Sequence, residues 1–271
     1  MNKVIPNLII IGAMKSGTSS LHNYLNLHPN IQMSTLKELD FFILEKNWNQ
    51  GLDWYSNQFP INKEVKIFGE SSPNYTKHHL FAGIPQRMAS ISPDAKLIYI
   101  LRDPINRILS HYFHQFVDHQ EQRSLIDALQ DDKNNNYINT SRYYFQIDKF
   151  LSTYKIDQIL FLTLEELDKN RNQTLQKIFN FLGVDSSFEH PAFNKTYHRS
   201  SAKRRLTDLG YSISKLPSGL RFCNLFPTVF QSKVGYPVVD EQLLIYLKSI
   251  LSEDVEKLRC LTGLSFLDWS L

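Results

Sequence analysis

Short apolar runs alternate with longer amphipathic stretches along most of this chain. Four runs have the length and the continuous apolar character of strands buried on both faces, at residues 8–11, 65–68, 96–101 and 158–163. Helical spacing of apolar residues marks the stretches 18–27, 80–91, 105–116, 143–154, 172–182 and 240–261. This alternation predicts βαβ units, and therefore an α/β fold whose central, mostly parallel sheet carries helices on both faces.

Composition limits the class of protein. The chain has 271 residues, 42% of them hydrophobic and 21% charged. No linker or internal repeat divides it, so we expect a single domain over residues 1–271. The formal net charge is only +3, with basic residues spread along the chain, which argues against a nucleic-acid partner. Cys223 and Cys260 are too few for a disulfide framework and match no metal-site spacing.

The sequence contains no pattern typical of membrane insertion or secretion. No segment has the apolar length of a membrane span, and the first residues lack a secretory signal pattern. We therefore expect a cytoplasmic protein with no membrane partner. Nothing in the sequence indicates the oligomeric state.

The first apolar run ends in residue types that bind phosphate. Gly12 and Gly17 permit tight turns, and Lys15 between them adds a positive charge. Hydroxyl groups follow at the start of the next predicted helix, from Ser16, Thr18 and Ser19. Because N–H groups at a helix start point at an anion, this segment predicts an anion-binding loop. A nucleotide triphosphatase loop has its lysine directly after the second glycine, whereas Lys15 lies two residues before Gly17.

Two further positions follow predicted strands. Arg102 ends the third apolar run, and Pro104 suits the first turn of the next helix, where Ser110 lies about two turns along. Ligands of parallel sheets bind at the carboxyl ends of strands, so we expect Arg102 and Ser110 to approach one ligand. Glu70 follows the second run. Its carboxylate can take a proton from an acceptor, although a salt-bridged glutamate is an equally good interpretation from the residues alone.

Together these segments resemble sulfotransferases that use 3′-phosphoadenylyl sulfate (PAPS). Gly12-x-x-Lys15-x-Gly17-Thr18 resembles their 5′-phosphosulfate loop, and the sequence L-R-D-P-x-x-R-x-x-S from residue 101 resembles their 3′-phosphate signature. The sequence K-E-x-x-F-F from residue 37, and E-S-S-P-x-Y from residue 70, resemble elements of the heparan-sulfate sulfotransferase branch. The likeness extends over most of the chain.

The resemblance implies the P-loop-kinase-like sulfotransferase fold and transfer of a sulfuryl group from PAPS to a hydroxyl or amine, without a metal. It implies that Glu70 is the general base and that Lys15 stabilises the leaving phosphate. The implied cofactor contacts are Lys15, Ser16, Gly17, Thr18, Ser19, Arg102, Ser110 and Arg199. One departure is Ser71, which stands where the heparan-sulfate branch has a lysine. The basic residue of the loop that closes over the cofactor stays open among Arg199, Lys203 and Lys233.

The acceptor is not decided by these motifs. We expect a small, natural-product-like molecule, with a saccharide or a lipid as alternatives, and whether His78 or His198 assists is left open. A nucleotide kinase-like phosphotransferase is a distant alternative, because the loop lacks the G-K-[ST] order. A non-catalytic PAPS-binding module is another, opposed by the retention of Lys15, Glu70 and Arg102.

Overall fold

A five-stranded parallel sheet forms the centre of the molecule. The computed structural model describes residues 3–60, 64–130, 135–195 and 204–271. The sheet has the strand order β2-β3-β1-β4-β5, with every neighbouring pair parallel. Its strands are β1 Leu8–Gly12, β2 Ile31–Met33, β3 Ile67–Ser71, β4 Lys96–Leu101 and β5 Ile159–Thr163. The predicted α/β class and parallel sheet are confirmed.

Helices connect the strands and cover the sheet. Those before β5 are α1 Thr18–Leu25, α2 Gly51–Ser56, α3 Ile84–Ile91, α4 Pro104–Val117, α5 Leu125–Leu129, α6 Asn136–Asn139 and α7 Tyr143–Leu151. Those after it are α8 Leu164–Lys169, α9 Arg171–Leu182, α10 Asp208–Ser214, α11 Gly219–Leu225, α12 Pro227–Phe230 and α13 Glu241–Thr262. An antiparallel pair, β6 Arg204–Leu206 and β7 Gln231–Lys233, encloses α10 to α12. Of the helices described, none is both long enough and apolar enough to cross a bilayer.

The core lies on both faces of the sheet. Ile9 and Ile11 of β1 pack on one face with residues of α2, α3, α7 and α13, whereas Leu8 and Ile10 pack on the other with residues of α1 and α9. All four side chains are fully buried. Burial on both faces explains why the strands are continuous apolar runs rather than alternating ones.

Two strands differ from the prediction. β3 extends three residues beyond the predicted end, because Gly69, Glu70 and Ser71 pair with β1. Glu70 therefore lies within a strand rather than after it. β2 was not predicted, since it is only three residues long and has the polar Gln32 at its centre.

The helix ends show where local chemistry overrides the apolar pattern. α3 begins at Ile84 instead of residue 80, because Gly83 at its N-cap takes a positive φ of 71°. At the start of α7, the Asp254 carboxylate of α13 accepts the N–H groups of Tyr144 at 2.9 Å and Phe145 at 2.8 Å. Burial raises the pKa of Asp254 to about 6. This capping ties α13 to α7, whose first residue reaches the site described below.

Candidate active site

The loop between β1 and α1 turns sharply at the edge of the sheet. Gly17, the N-cap of α1, has a φ of 90°, and a Cβ there would lie 2.7 Å from Leu164 Cδ1. Glycine is therefore required by both conformation and space. The Ser16 N–H donates to the Ala13 carbonyl at 3.1 Å, so this predicted backbone donor is engaged within the loop. The first N–H groups of α1, including that of Thr18, have no acceptor inside the helix and face an incoming ligand.

Arg102 at the end of β4 contacts this loop. Its Nη1 donates to the Lys15 carbonyl at 3.3 Å, and the Tyr143 hydroxyl donates to the Arg102 carbonyl at 2.8 Å. The neighbouring Asp103 carboxylate instead caps α4 through the Asn106 N–H at 2.7 Å and accepts the Ser270 N–H at 2.6 Å. Within the described ranges, no ion pair links Arg102 to a carboxylate. The guanidinium is thus placed beside Lys15 with charge left for an anion.

Two buried hydroxyl groups lie in the loop and on α4. Ser110 Oγ makes no hydrogen bond within the described part of the chain, although the residue is 1% exposed, and Ser16, which is 0% exposed, interacts with the Tyr143 hydroxyl. A buried polar group without a partner costs about 1–3 kcal/mol. Both positions were predicted as cofactor contacts, and an anionic ligand with several oxygen atoms fits them.

Arg107 holds α4 against the loop. It is fully buried, its Nε donates to Ser141 Oγ at 2.5 Å, and its Nη2 donates to the Tyr137 carbonyl. Its Nη1 lies 3.5 Å from the Met14 carbonyl. Burial lowers the pKa of Arg107 to about 10. These contacts fix the loop relative to the helix that carries Ser110.

Glu70 is enclosed in a network of hydroxyl groups. The residue is 0% exposed; Oε1 accepts from the hydroxyls of Tyr55 at 2.5 Å and Tyr75 at 2.9 Å, and Oε2 accepts from Ser72 at 2.6 Å. Burial raises its pKa to about 7, against the opposing effect of the three hydrogen bonds. Direct contact with an acceptor, the role predicted for Glu70, requires access that this burial does not give.

The same network positions a second carboxylate. Ser72 Oγ, held by Glu70, accepts the Asp40 N–H at 3.1 Å. Two residues earlier, the Glu38 N–H donates to the Ser71 carbonyl at 3.0 Å, at the carboxyl end of β3. The Glu38 side chain is 48% exposed and pairs with Lys37 Nζ at 2.5 Å. Glu38 lay within the K-E-x-x-F-F segment but was not singled out, because no predicted strand ends there.

Lys77 is a functional candidate that sequence reasoning missed. The residue is 5% exposed, its Nζ lies 2.9 Å from Met14 Sδ in the loop, and among the described residues it has no ion pair. Burial, reinforced by Arg107 and Lys46, lowers its pKa to about 8, while Asp40 and Glu38 act in the opposite direction. Lys77 therefore contacts the loop, and the Asp40 and Glu38 carboxylates are close enough to affect its pKa. A buried ammonium without a carboxylate suits an anionic ligand.

Positive φ angles recur in the loop after β1 and in the 38–40 segment. Six non-glycine residues of the described chain have a positive φ, and three of them, Lys15, Glu38 and Asp40, belong to the two segments just described. Each such conformation costs on the order of 1 kcal/mol or more and persists mainly where the surrounding structure imposes it. The clustering makes these segments candidates for a functional site.

The remaining predicted contacts lie toward the C-terminus. The Tyr24 hydroxyl of α1 donates to the Lys195 carbonyl at 2.6 Å, which brings the chain beside α1 just before residue 196. Arg199, Lys203 and His198 lie outside the described residues, and Lys233 is exposed in β7. No group of three or more His, Cys, Asp or Glu side chains that could hold a metal ion occurs in the described ranges.

The buried state of Glu70 predicts how stability responds to pH. Its pKa is about 7 in the folded protein against 4.5 as the ordinary value, so between these values the folded state binds more protons than the unfolded state. Stability should therefore fall by about 3 kcal/mol as the pH rises from 4.5 to 7. Glu70→Gln should lose this dependence, as measured by urea unfolding at pH 5 and pH 8. The exposed Glu45→Gln is the matched control; equal pH dependence in all three proteins would contradict the assignment.

Proteins named as sulfotransferases are similar in sequence to about two thirds of this chain. The human bifunctional heparan sulfate N-deacetylase/N-sulfotransferase 1 is 30% identical over 208 residues, which cover 68% of this chain and 23% of that protein. The chain thus spans well under two thirds of the length of this relative.

Solved structures share the fold. A sulfotransferase from Alicyclobacillus acidocaldarius matches with a TM-score of 0.73 and 23% identity, covering 99% of this chain and 100% of that one. Mouse sulfotransferase SULT7A1, complexed with PAP, matches with a TM-score of 0.52 and 15% identity over 95% and 88% of the two chains. The sulfotransferase domain model matches residues 6–209, and since this is most of the chain, the protein belongs to the sulfotransferase domain family.

Proposed function

We propose that this protein is a PAPS-dependent sulfotransferase that transfers a sulfuryl group to a hydroxyl or amine, and that residues 1–271 form one catalytic domain. The observation that carries the proposal is the contact of the Arg102 guanidinium with the Lys15 carbonyl in the loop, with the buried Ser110 hydroxyl of α4 as support. The N-sulfotransferase named among the relatives and the PAP-bound mouse neighbour support it.

The binding roles follow from the chemistry of each group. When bound, PAPS supplies a sulfuryl group attached to a phosphate that can leave. The N–H groups that begin α1, with the Thr18 and Ser19 hydroxyls, would hold the 5′-phosphate, and Arg102 with Ser110 would hold the 3′-phosphate. Lys15 and the buried Lys77 place positive charge where negative charge develops during transfer.

We propose that the Glu38 carboxylate is the general base that takes the proton from the acceptor. The Glu38 side chain is half exposed and pairs with Lys37, and the bond from its own N–H to the Ser71 carbonyl fixes its backbone at the carboxyl end of β3. Glu70 acts indirectly, as a positioning residue. Its carboxylate orients the Ser72 hydroxyl, which accepts the N–H of Asp40, two residues after Glu38. This proposal gives the role of general base to Glu38 instead of Glu70, the residue predicted from the sequence.

We propose a small molecule with a hydroxyl or amine as acceptor. A saccharide is the second candidate, favoured by the heparan sulfate relative. The cytoplasmic location stays a prediction. A screen of these acceptor classes with radiolabelled PAPS tests the transfer itself, and failure of every class together with failure to bind PAP would overturn the proposed function.

A nucleotide comparison tests the role of Arg102. Arg102→Ala should weaken binding of PAP by about 30–100-fold, because a charge-assisted phosphate contact is worth about 2–3 kcal/mol. Binding of AMP, which lacks the 3′-phosphate, should be nearly unchanged. Isothermal titration of both nucleotides measures the difference, with the exposed Lys149→Ala as control. Equal losses for PAP and AMP would show that Arg102 does not read the 3′-phosphate.

A further inference from the structure

An exposed apolar surface covers the short helices near the C-terminus. We define the α10–α12 surface by seven residues, Leu209, Leu216, Leu220, Phe222, Leu225, Phe226 and Val229, each between 47% and 73% exposed. Sixteen large hydrophobic residues are exposed in the described chain, and these seven fall within 21 consecutive positions. Soluble monomers rarely leave such a group uncovered unless it binds something.

The exposed apolar side chains of α11 and α12 lie next to one another in the chain. In α11 only Gly219 and Cys223, one turn apart, are buried, so the helix touches the protein along a narrow line. Phe222 and Leu225 are exposed on α11, Phe226 follows where that helix ends, and Val229 is exposed on α12. The Phe222 and Phe226 rings lie 5.3 Å apart, so the exposed side chains meet across the helix end.

The same segment carries concentrated positive charge. Residues 204–238 contain five basic residues, Arg204, Arg205, Lys215, Arg221 and Lys233, and one acidic residue, Asp208. The whole chain has a net charge of +3, so the remainder of the chain is slightly negative. Lys215, Arg221 and Lys233 are exposed beside the apolar side chains. The basic residues are therefore less evenly distributed than the sequence analysis assumed.

This segment is anchored to the helix that begins at the active site. The Arg205 guanidinium lies over the Phe116 ring at 4.0 Å, and the His119 ring stacks on Tyr211 at 4.2 Å. His119 Nε2 also bonds to the Leu206 carbonyl at 2.8 Å. The surface is thus attached at the far end of α4 from Arg102.

We propose that the α10–α12 surface docks the protein on an anionic membrane. Apolar residues interleaved with Lys and Arg are the composition of segments that lie in a membrane interface, and each basic residue near acidic lipids adds about 1 kcal/mol. A second copy of the chain is a poorer occupant, because a symmetric contact would bring the same positive charges together. The sequence prediction of no membrane partner rested on the lack of a span, which peripheral docking does not need.

Vesicle binding tests the proposal independently of the sulfotransferase activity. The protein should co-sediment at least tenfold more strongly with vesicles of equal phosphatidylcholine and phosphatidylglycerol than with phosphatidylcholine alone. The double variants Leu225→Ser with Phe226→Ser, and Lys215→Gln with Arg221→Gln, should each reduce binding about tenfold. Leu267→Ser, a change at an exposed leucine outside this surface, should not.

Two outcomes would overturn the proposal. The first is that the wild-type protein does not bind the anionic vesicles, or that both double variants bind them as well as the wild type does. The second is a dimer, seen by light scattering, that dissociates in the Leu225 and Phe226 variant while vesicles are not bound, which would give the surface to a second copy. PAP affinity should stay unchanged in every variant, so a failure here is distinguishable from a failure of the proposed function.

Discussion

Replacing Lys15 with methionine should lower the rate of sulfuryl transfer by about 10²–10³-fold. Methionine keeps most of the side-chain length but removes the charge that would stabilise the leaving phosphate oxygen of bound PAPS. The effect should fall mainly on the turnover rate, since the charge develops in the transition state, whereas the N–H groups and hydroxyls of the loop continue to bind the nucleotide. Single-turnover transfer from radiolabelled PAPS measures the rate, and titration with PAP measures the binding.

The control must distinguish loss of the Lys15 charge from a change in the conformation of its loop. Lys15 has a φ of 71°, so any replacement other than glycine or asparagine keeps the same strained backbone, and the unfolding free energy should change little. Lys149→Met, at an exposed lysine on α7, reports the effect of removing a charge elsewhere. A Lys15 variant that transfers at the wild-type rate would remove this residue from the mechanism.

The sheet was predictable because its strands are buried on both faces. β1 and β4 lie at the centre of the sheet, and their apolar runs were found within a residue of their observed ends. β2 lies at the edge, is three residues long and includes Gln32, so its pattern could not be distinguished from a loop. The loop around Lys15 was predictable for a different reason, because glycines, a lysine and hydroxyl groups together at a helix start are typical of an anion-binding loop.

The proton-transfer side of the site was not predictable in the same way. Glu70 was found because it follows an apolar run, yet its enclosure could not be seen in that run: Ser72 and Tyr75 follow Glu70 by two and five residues, and Tyr55 comes from α2. Lys77 belongs to no motif, and its burial against Met14 arises only when β1 and β3 pair. Glu38 is placed by a backbone hydrogen bond to Ser71, a tertiary contact that a sequence pattern does not encode.

Comparing Glu38→Gln with Glu70→Gln should therefore separate the two carboxylates. Removing a general base costs about 10²–10⁴-fold, so Glu38→Gln should lose at least 10²-fold in turnover with PAP affinity unchanged. Glu70→Gln should lose about tenfold, because the Ser72 contact to Asp40 can persist when the neighbour is an amide. Turnover measured beside PAP titration distinguishes the roles, because only the Glu38 variant should lose at least 10²-fold in turnover while PAP affinity stays unchanged.

The opposite pattern has a clear meaning. If Glu70→Gln abolishes transfer and Glu38→Gln does not, then Glu70 is the base predicted from the sequence, and the Tyr55, Tyr75 and Ser72 network must open when the acceptor binds. That opening would have to break three hydrogen bonds to a buried carboxylate, at a cost of several kcal/mol. Glu38 needs no such step, because its side chain is already half exposed and its backbone is fixed at the carboxyl end of β3, and this difference in cost is the physical reason for assigning it the proton.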